Sequence, residues 1–282
     1  MNALVAPVDH QLSTADGTAL FVTDYMLPRA EAVGSIVLLH GLGEHSGRYR
    51  RLAQFFNACG LSVRCYDQRG HGRSGGARGD VTNGDPLLQD AQVVIDHFRA
   101  QQPRPPFLFG HSMGGLFAAR YALSGRSVLR GLILCSPALA VPLSGAQALL
   151  LNALHAAAPW LGVPNGLKPQ FLSHDPAVVA AYRADPLVHN KISARLLKSM
   201  LASIAFCDAH AATLAIPTLM LVAGDDRLVD AEGSKRFFAK APPAMVQMAL
   251  YPGWYHEVFN EPESARAFDL VRSWLAIQCG RA

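Results

Sequence analysis

The 282-residue sequence predicts an α/β fold. The expected form is a mostly parallel sheet of about eight strands, opened by an antiparallel hairpin, with helices on both faces and a helical cap insertion. Three observations predict it. Short apolar, β-prone runs alternate with segments of helical periodicity, the pattern of strand–helix–strand units. Ser35–His40 (SIVLLH) is apolar without alternation, as expected of a strand buried on both faces. A long helical stretch breaks the alternation between a strand ending near Cys135 and another starting at Thr218, which marks an insertion over the sheet.

The elements follow in order. Asp16-Gly17 between His10–Thr14 and Thr18–Met26 reads as a hairpin turn. After the Ser35–His40 strand comes a helix near Tyr49–Ala58, ended by Gly60, and then a strand at Leu61–Tyr66. A glycine-rich loop covers Gln68–Gly79. A helix after Pro86 carries Leu87, Leu88, Ala91, Val94, Ile95 and Phe98 at helical spacing and stops at Pro103, Pro105 and Pro106. Phe107–Phe109 is a strand, Ser112–Leu123 a helix, Leu129–Cys135 a strand. Ala138–Thr213 reads as helical with Pro and Gly interruptions. Thr218–Ala223 and Val246–Tyr251 are strands, Ala231–Lys240 and Glu263–Ile277 helices. The expected division is a core of residues 1–137 and 214–282 and a cap of residues 138–213.

Half of the chain is apolar, only 16% is charged, and the net charge is +4. Disorder is excluded, since it needs low hydrophobicity and high net charge. Twenty arginines and five lysines are scattered among 21 acids, so no nucleic-acid partner is expected. The five cysteines (Cys59, Cys65, Cys135, Cys207 and Cys279) are odd in number, widely spaced and without a C-x-x-C pair. That argues for a reducing compartment, hence a cytoplasmic location. Met1–Gln11 lacks the basic and apolar regions of a secretory leader. Gly131–Leu167 contains no Asp, Glu, Lys or Arg, but prolines and glycines break it into pieces too short to span a bilayer. It reads as a buried strand running into apolar cap helices, with peripheral lipid contact as its functional possibility.

Gly110-His111-Ser112-Met113-Gly114 follows a strand and opens a helix, the context a G-x-S-x-G nucleophile elbow requires. The turn needs small flanking residues, which Gly110, Gly114 and Gly115 supply. A serine nucleophile needs a base, and in this class the acid and then the base follow it along the chain. Of His155, His174, His189, His210 and His256, only His256 lies beyond the late strand that should deliver the acid. Within Gly224–Asp230, Asp226 is the preferred acid, Asp225 the alternative, and Asp230 a helix N-cap. Acyl transfer also needs two backbone N–H donors for the developing oxyanion. Met113 follows the nucleophile, and Leu42 lies in His40-Gly41-Leu42-Gly43 after the first parallel strand. His40, Asp67 and Arg69 read as loop-bracing residues. This chemistry requires no metal or organic cofactor, and none is signalled.

The runs HGLGEHSGRY (His40–Tyr49), YDQRGHGRSGG (Tyr66–Gly76), GHSMGG (Gly110–Gly115), GDDRLVD (Gly224–Asp230) and YHEVFNE (Tyr255–Glu261) resemble the monoacylglycerol lipase and lysophospholipase group of the α/β-hydrolases. The resemblance spans about Gly34 to Leu275, and within the cap it is limited to His174–Lys191. It implies the α/β-hydrolase fold, a Ser112–Asp226–His256 triad, oxyanion donors at Leu42 and Met113, and Glu44 and Arg48 at the polar end of the pocket. Glu44 and Arg48 have an equal claim to a structural role, as a salt-bridged pair bracing the oxyanion loop. The resemblance further implies a lid that shapes the acyl pocket; Leu149, Leu150, Leu151, Leu154, Trp160, Leu161 and Val163 suit it, with Leu150 and Leu154 expected to touch the acyl chain. One departure stands out. Animal relatives carry a second histidine three residues after the catalytic one, where this chain has Phe259. The expected function is hydrolysis of fatty-acyl esters of the monoacylglycerol or lysophospholipid kind, with a lipid or small-molecule ester as partner. A broad-specificity esterase and an aminopeptidase or amidase on the same triad remain alternatives, the latter with Glu44 holding the substrate amine. Ser112 excludes dehalogenases and epoxide hydrolases, which need a carboxylate at the elbow.

Overall fold

Ile36 and Leu38 turn to one face of the central sheet and Val37 and Leu39 to the other, and all four are buried. Alternation along a strand that is apolar on both sides demands cover on both faces. The computed structural model, which describes residues 5–82 and 84–280, supplies that cover. Met1–Gln11, read above as free of a leader, falls partly on residues 1–4, outside the described residues.

In chain order the elements are β1 (Val8–Ser13), β2 (Ala19–Tyr25), β3 (Gly34–Leu39), α1 (Arg50–Ala58), β4 (Leu61–Tyr66), α2 (Pro86–Arg99), β5 (Phe107–His111), α3 (Met113–Leu123), β6 (Gly131–Cys135), α4 (Gly145–Ala157), β7 (Gly162–Pro164), α5 (Pro176–Ala184), β8 (Lys191–Ser193), α6 (Ala194–His210), β9 (Thr218–Ala223), α7 (Ala231–Lys240), β10 (Val246–Tyr251) and α8 (Ala265–Gln278). Eight strands form one sheet in the order β1-β2-β4-β3-β5-β6-β9-β10. β1 and β2 are antiparallel, as Asp16-Gly17 with Gly17 at φ 80° requires, and β2 pairs antiparallel with β4. From β4 to β10 every pairing is parallel. Leu52 and Phe56 of α1 and Val271 and Trp274 of α8 cover one face. Leu88 and Ile95 of α2, Leu116 of α3, Leu196 of α6 and Phe237 of α7 cover the other. The fold is the mostly parallel α/β-hydrolase arrangement expected from the sequence.

β6 and β9 are neighbours in the sheet, yet α4, β7, α5, β8 and α6 lie between them in the chain. This stretch differs from the helical expectation by a two-stranded antiparallel pair in which Val163 faces Ile192 and Pro164 faces Lys191. Pro159, Gly162 and Pro164 end α4 and keep helix from resuming, so the backbone groups there need another partner. The β8 segment provides it. Among the described residues no helix is long and apolar enough to cross a membrane, and all five cysteines are free thiols.

Candidate active site

The loops after β3, β5, β9 and β10 converge at the carboxyl edge of the sheet, where open α/β sheets bind ligands. At the end of β5 the chain reverses through Ser112, whose φ of 53° and ψ of −120° put a non-glycine residue in a costly conformation. The surroundings enforce it. A Cβ on Gly110 would strike the Gly114 carbonyl, and one on Gly114 would strike the Leu39 and His40 carbonyls. Ser112 N–H donates to Cys135 O at 3.0 Å, and Ser112 O accepts from Leu116 and Ala138 at 3.0 and 2.9 Å. Met113 is the first residue of α3, so its amide has no intrahelical acceptor and lies at the positive end of the helix dipole.

His256 Nδ1 is 2.6 Å from Asp226 Oδ2, and both side chains are almost fully buried. Asp226 Oδ1 accepts the Leu228 and Val229 amides at 2.9 and 3.0 Å, which fixes the carboxylate. Burial alone would favour neutral Asp226, but the charge and hydrogen bond of His256 and the two amides hold its carboxyl below the ordinary range. His256 is the converse. Burial disfavours its proton, while Asp226, with Glu257 and Glu44 behind it, raises the imidazole above its ordinary value. Asp225 turns outward to Arg227 at 3.0 Å, and Asp230 caps α7 by accepting Glu232 N–H. The ring of His111, the residue before Ser112, lies 4.6 Å from that of His256. Burial and the neighbouring His256 push His111 down to about 4, which leaves it neutral.

The His40–Gly43 loop passes close to the elbow: a Cβ on Gly41 would stand 3.3 Å from Ser112 Cβ. His40 braces this loop. Its Nε2 accepts Gln68 N–H at 2.9 Å, so Nδ1 carries the proton and donates to Gly41 O at 2.7 Å. Asp67 accepts Ser46 N–H at 2.8 Å and Arg73 N–H at 2.7 Å, and Arg69 pairs with Asp90 and Asp16. The inserted segment adds two ties: His189 N–H donates to Gly43 O at 2.8 Å, and His45 Nε2 meets Asp185 at 2.8 Å.

Ser112, Leu42 and Met113 line a cavity of about 620 Å³ together with Leu150, Leu154, Leu151, Val163 and Met200. Glu44 and Arg48 line a different, smaller cavity of about 40 Å³ with Tyr49, His111, Glu257 and Phe259. There Arg48 pairs with both Glu44 and Glu257. Glu44 Oε1 accepts Gly41 N–H and Tyr49 O–H, each at 2.6 Å. Burial opposes ionisation of Glu44, yet the Arg48 guanidinium and the Tyr49 hydroxyl bring its carboxyl down to about 2. Phe259 packs its ring 5.9 Å from Phe109 and 5.0 Å from Phe268, so this flank is apolar. Glu257 stands beside His256 in the YHEVFNE run, and only folding brings Arg48 to it, so no local pattern marks its role.

A family model described as "Hydrolase_4: Serine aminopeptidase, S33" matches residues 30–263. The chain is 35% identical to the monoacylglycerol lipase of Mycolicibacterium smegmatis over 274 residues, 95% of this chain and 96% of that protein. It is 33% identical to Phospholipase YtpA of Bacillus subtilis over 86% of this chain and 95% of the relative. The crystal structure of Paleococcus ferrophilus monoacylglycerol lipase superposes with a TM-score of 0.83 at 35% identity, covering 92% of this chain and 99% of the other. The chain thus belongs to the Hydrolase_4 family of α/β-hydrolases and, within that fold, is a monoacylglycerol lipase-like protein.

Proposed function

We propose that the protein is a serine carboxylic ester hydrolase that cleaves fatty-acyl monoesters, of the monoacylglycerol or lysophospholipid kind, through an acyl-enzyme. The observation that carries this reading is the 2.6 Å bond between His256 Nδ1 and Asp226, set beside a strained serine elbow. With Nδ1 engaged, His256 Nε2 is the nitrogen that serves Ser112. Ser112 Oγ attacks the acyl carbonyl carbon while its proton passes to Nε2. The carbonyl oxygen becomes an oxyanion held by the Leu42 and Met113 amides, and Asp226 stabilises the imidazolium. Collapse of the tetrahedral intermediate breaks the ester C–O bond, and the departing alcohol takes the proton from Nε2. Water then attacks the acyl-enzyme, again giving its proton to Nε2, and the fatty acid leaves as Ser112 recovers its hydrogen.

The similarity to a monoacylglycerol lipase and a phospholipase supports a lipid ester as substrate. So does the apolar wall of the larger cavity, since burying a chain contributes about 0.8 kcal/mol per methylene. In this reading residues 138–213 act as a cap over the core of residues 1–137 and 214–282. Leu149, Leu150, Trp160 and Leu161, exposed on and after α4, offer that cap a peripheral contact with lipid aggregates. The aminopeptidase named in the family description would need a carboxylate free to bind the substrate amine. Glu44 is occupied by Gly41, Tyr49 and Arg48, which favours esters.

The test is alkyl fluorophosphonate labelling together with turnover of a medium-chain monoacylglycerol. The parent protein takes the label at Ser112, and Ser112→Ala loses the label and about 10⁴-fold or more of turnover. Retained turnover in that variant overturns the reading.

A further inference from the structure

The turn that carries His256 is held by the inserted segment as well as by the core. Residues 171–174, between β7 and α5, run alongside residues 256–261. Glu257 N–H donates to Leu172 O at 2.8 Å, and His256 N–H to Phe171 O at 3.4 Å. Ser173 O–H donates to Asn260 O at 2.7 Å. His174 closes the seam by placing two donors on one carboxylate. Its backbone N–H reaches Glu261 Oε1 at 3.0 Å, and its ring Nδ1 reaches Oε2 at 2.9 Å. A carboxylate only accepts, so Nδ1 carries the proton. The Glu261 side chain is almost fully buried, and among the described residues His174 supplies both of its donors.

Anchored in this way, the His174 ring lies flat against Tyr255, the residue before His256, with centroids 3.7 Å and planes 20° apart. Phe171 meets the same Tyr255 ring edge-on at 5.7 Å. Arg227, the neighbour of Asp226, has its guanidinium over both rings, 5.1 Å from the Phe171 centroid and 5.6 Å from that of Tyr255. Phe171 also lines the larger cavity, so one short segment walls that cavity and holds the turn behind it. His174 itself lines neither of the two cavities and so has no access to a substrate there. It can act only through Tyr255. A base works at full rate only in near-attack geometry, and His256 must keep its 2.6 Å bond to Asp226 while presenting Nε2 to Ser112. We propose that His174, anchored by Glu261, is a positioning residue: stacked on Tyr255, it fixes the turn from which His256 reaches Asp226 and Ser112. The inference rests on the ester-hydrolase reading and adds the group that aligns its base.

Three variants of the full chain divide the contact. His174→Ala removes ring and donor, His174→Asn keeps a donor for Glu261 without the ring, and His174→Phe keeps a ring over Tyr255 without the donor. The His174 side chain is 44% exposed, so none of these exchanges opens a cavity in the core. Each variant is assayed well below its unfolding midpoint on 4-nitrophenyl acetate, whose acyl group is too short to depend on the apolar wall, and on monodecanoylglycerol. In His174→Ala, kcat falls about 10–100-fold on both esters, while KM stays within about twofold because the base serves acylation and deacylation alike. His174→Phe recovers much of that loss and His174→Asn little, since the ring is what touches Tyr255. The far-downfield proton resonance of the His256 Nδ1–H bond to Asp226 reads the same geometry without substrate. It weakens or shifts in His174→Ala and keeps its place in His174→Phe. A His174→Ala or His174→Asn protein with the parent's kcat overturns the proposal, as does a lowered unfolding midpoint with kcat and resonance unchanged. The two ideas fail separately. If the parent hydrolyses neither ester while the resonance still moves, the ester-hydrolase reading falls and the positioning of His256 stands. If the parent is active and neither kcat nor resonance responds, only the role of His174 falls.

Discussion

Arg48 and Glu257, 209 positions apart in the sequence, meet through two parallel hydrogen bonds of 2.7 and 2.9 Å. Arg48 also binds Glu44, and Glu44 in turn accepts Gly41 N–H at 2.6 Å. A single, largely buried guanidinium therefore ties the loop carrying the Leu42 amide to the turn carrying His256. Arg48→Met leaves two buried carboxylates without their cation. Removing one partner of a buried pair costs about 3–5 kcal/mol. Urea unfolding at pH 7 should show that loss, and the double variant Arg48→Met/Glu257→Gln should recover part of it. A single variant as stable as the parent would contradict this role.

The pH dependence of kcat/KM reports the free enzyme's base. In the proposed mechanism His256 must be neutral to accept the Ser112 proton, and its imidazole is held above the ordinary value, burial working against Asp226 and the nearby glutamates. Activity should therefore rise with pH through a midpoint above the ordinary 6.5. Asp226→Asn removes the largest upward influence and leaves burial in place, so the midpoint moves to lower pH. The same variant loses the group that fixes the tautomer, with a fall of about 10⁴ in kcat. A profile whose midpoint stays put in Asp226→Asn would show that another group titrates.

Gly114→Ala tests whether the elbow is held by close packing. The added methyl meets the Leu39 and His40 carbonyls, backbone atoms that cannot swing aside. Overpacking of this kind costs about 1–3 kcal/mol and shifts the backbone. The expected outcome is a lower unfolding midpoint together with a fall in kcat larger than the fall in folded fraction. Full activity in a stable Gly114→Ala protein would mean the turn is less constrained than its geometry implies.

Leu150 and Leu154 line the larger cavity from α4. Replacing both with Asp places charge where an acyl chain would lie, and each methylene that loses its contact forgoes up to about 0.8 kcal/mol. Palmitate esters should lose far more kcat/KM than acetate esters. Equal losses on the two would remove the acyl-contact role from these residues.

Sequence alone determined the elements whose causes are local. An unbroken apolar run makes β3, Asp16-Gly17 closes the hairpin, and three small glycines around Ser112 permit the sharp strand-to-helix turn. Chain order alone singles out His256 among the five histidines after the elbow and narrows the acid to Gly224–Asp230. Only the tertiary structure decided the rest, because it depends on where distant loops end up. Asp226 meets His256 because the Leu228 and Val229 amides hold its other oxygen, while neighbouring Asp225 faces solvent and Arg227. The β7–β8 pair forms because Pro159 and Pro164 deny those residues a helix, and no local pattern names Lys191–Ser193 as the partner. Glu44 and Arg48 line the smaller cavity, where Glu257 arrives from the far end of the chain to pair with Arg48, and not the larger one. Periodicity and turn chemistry act over a few residues, whereas the pairing of a buried charge is settled by neighbours brought together only by folding.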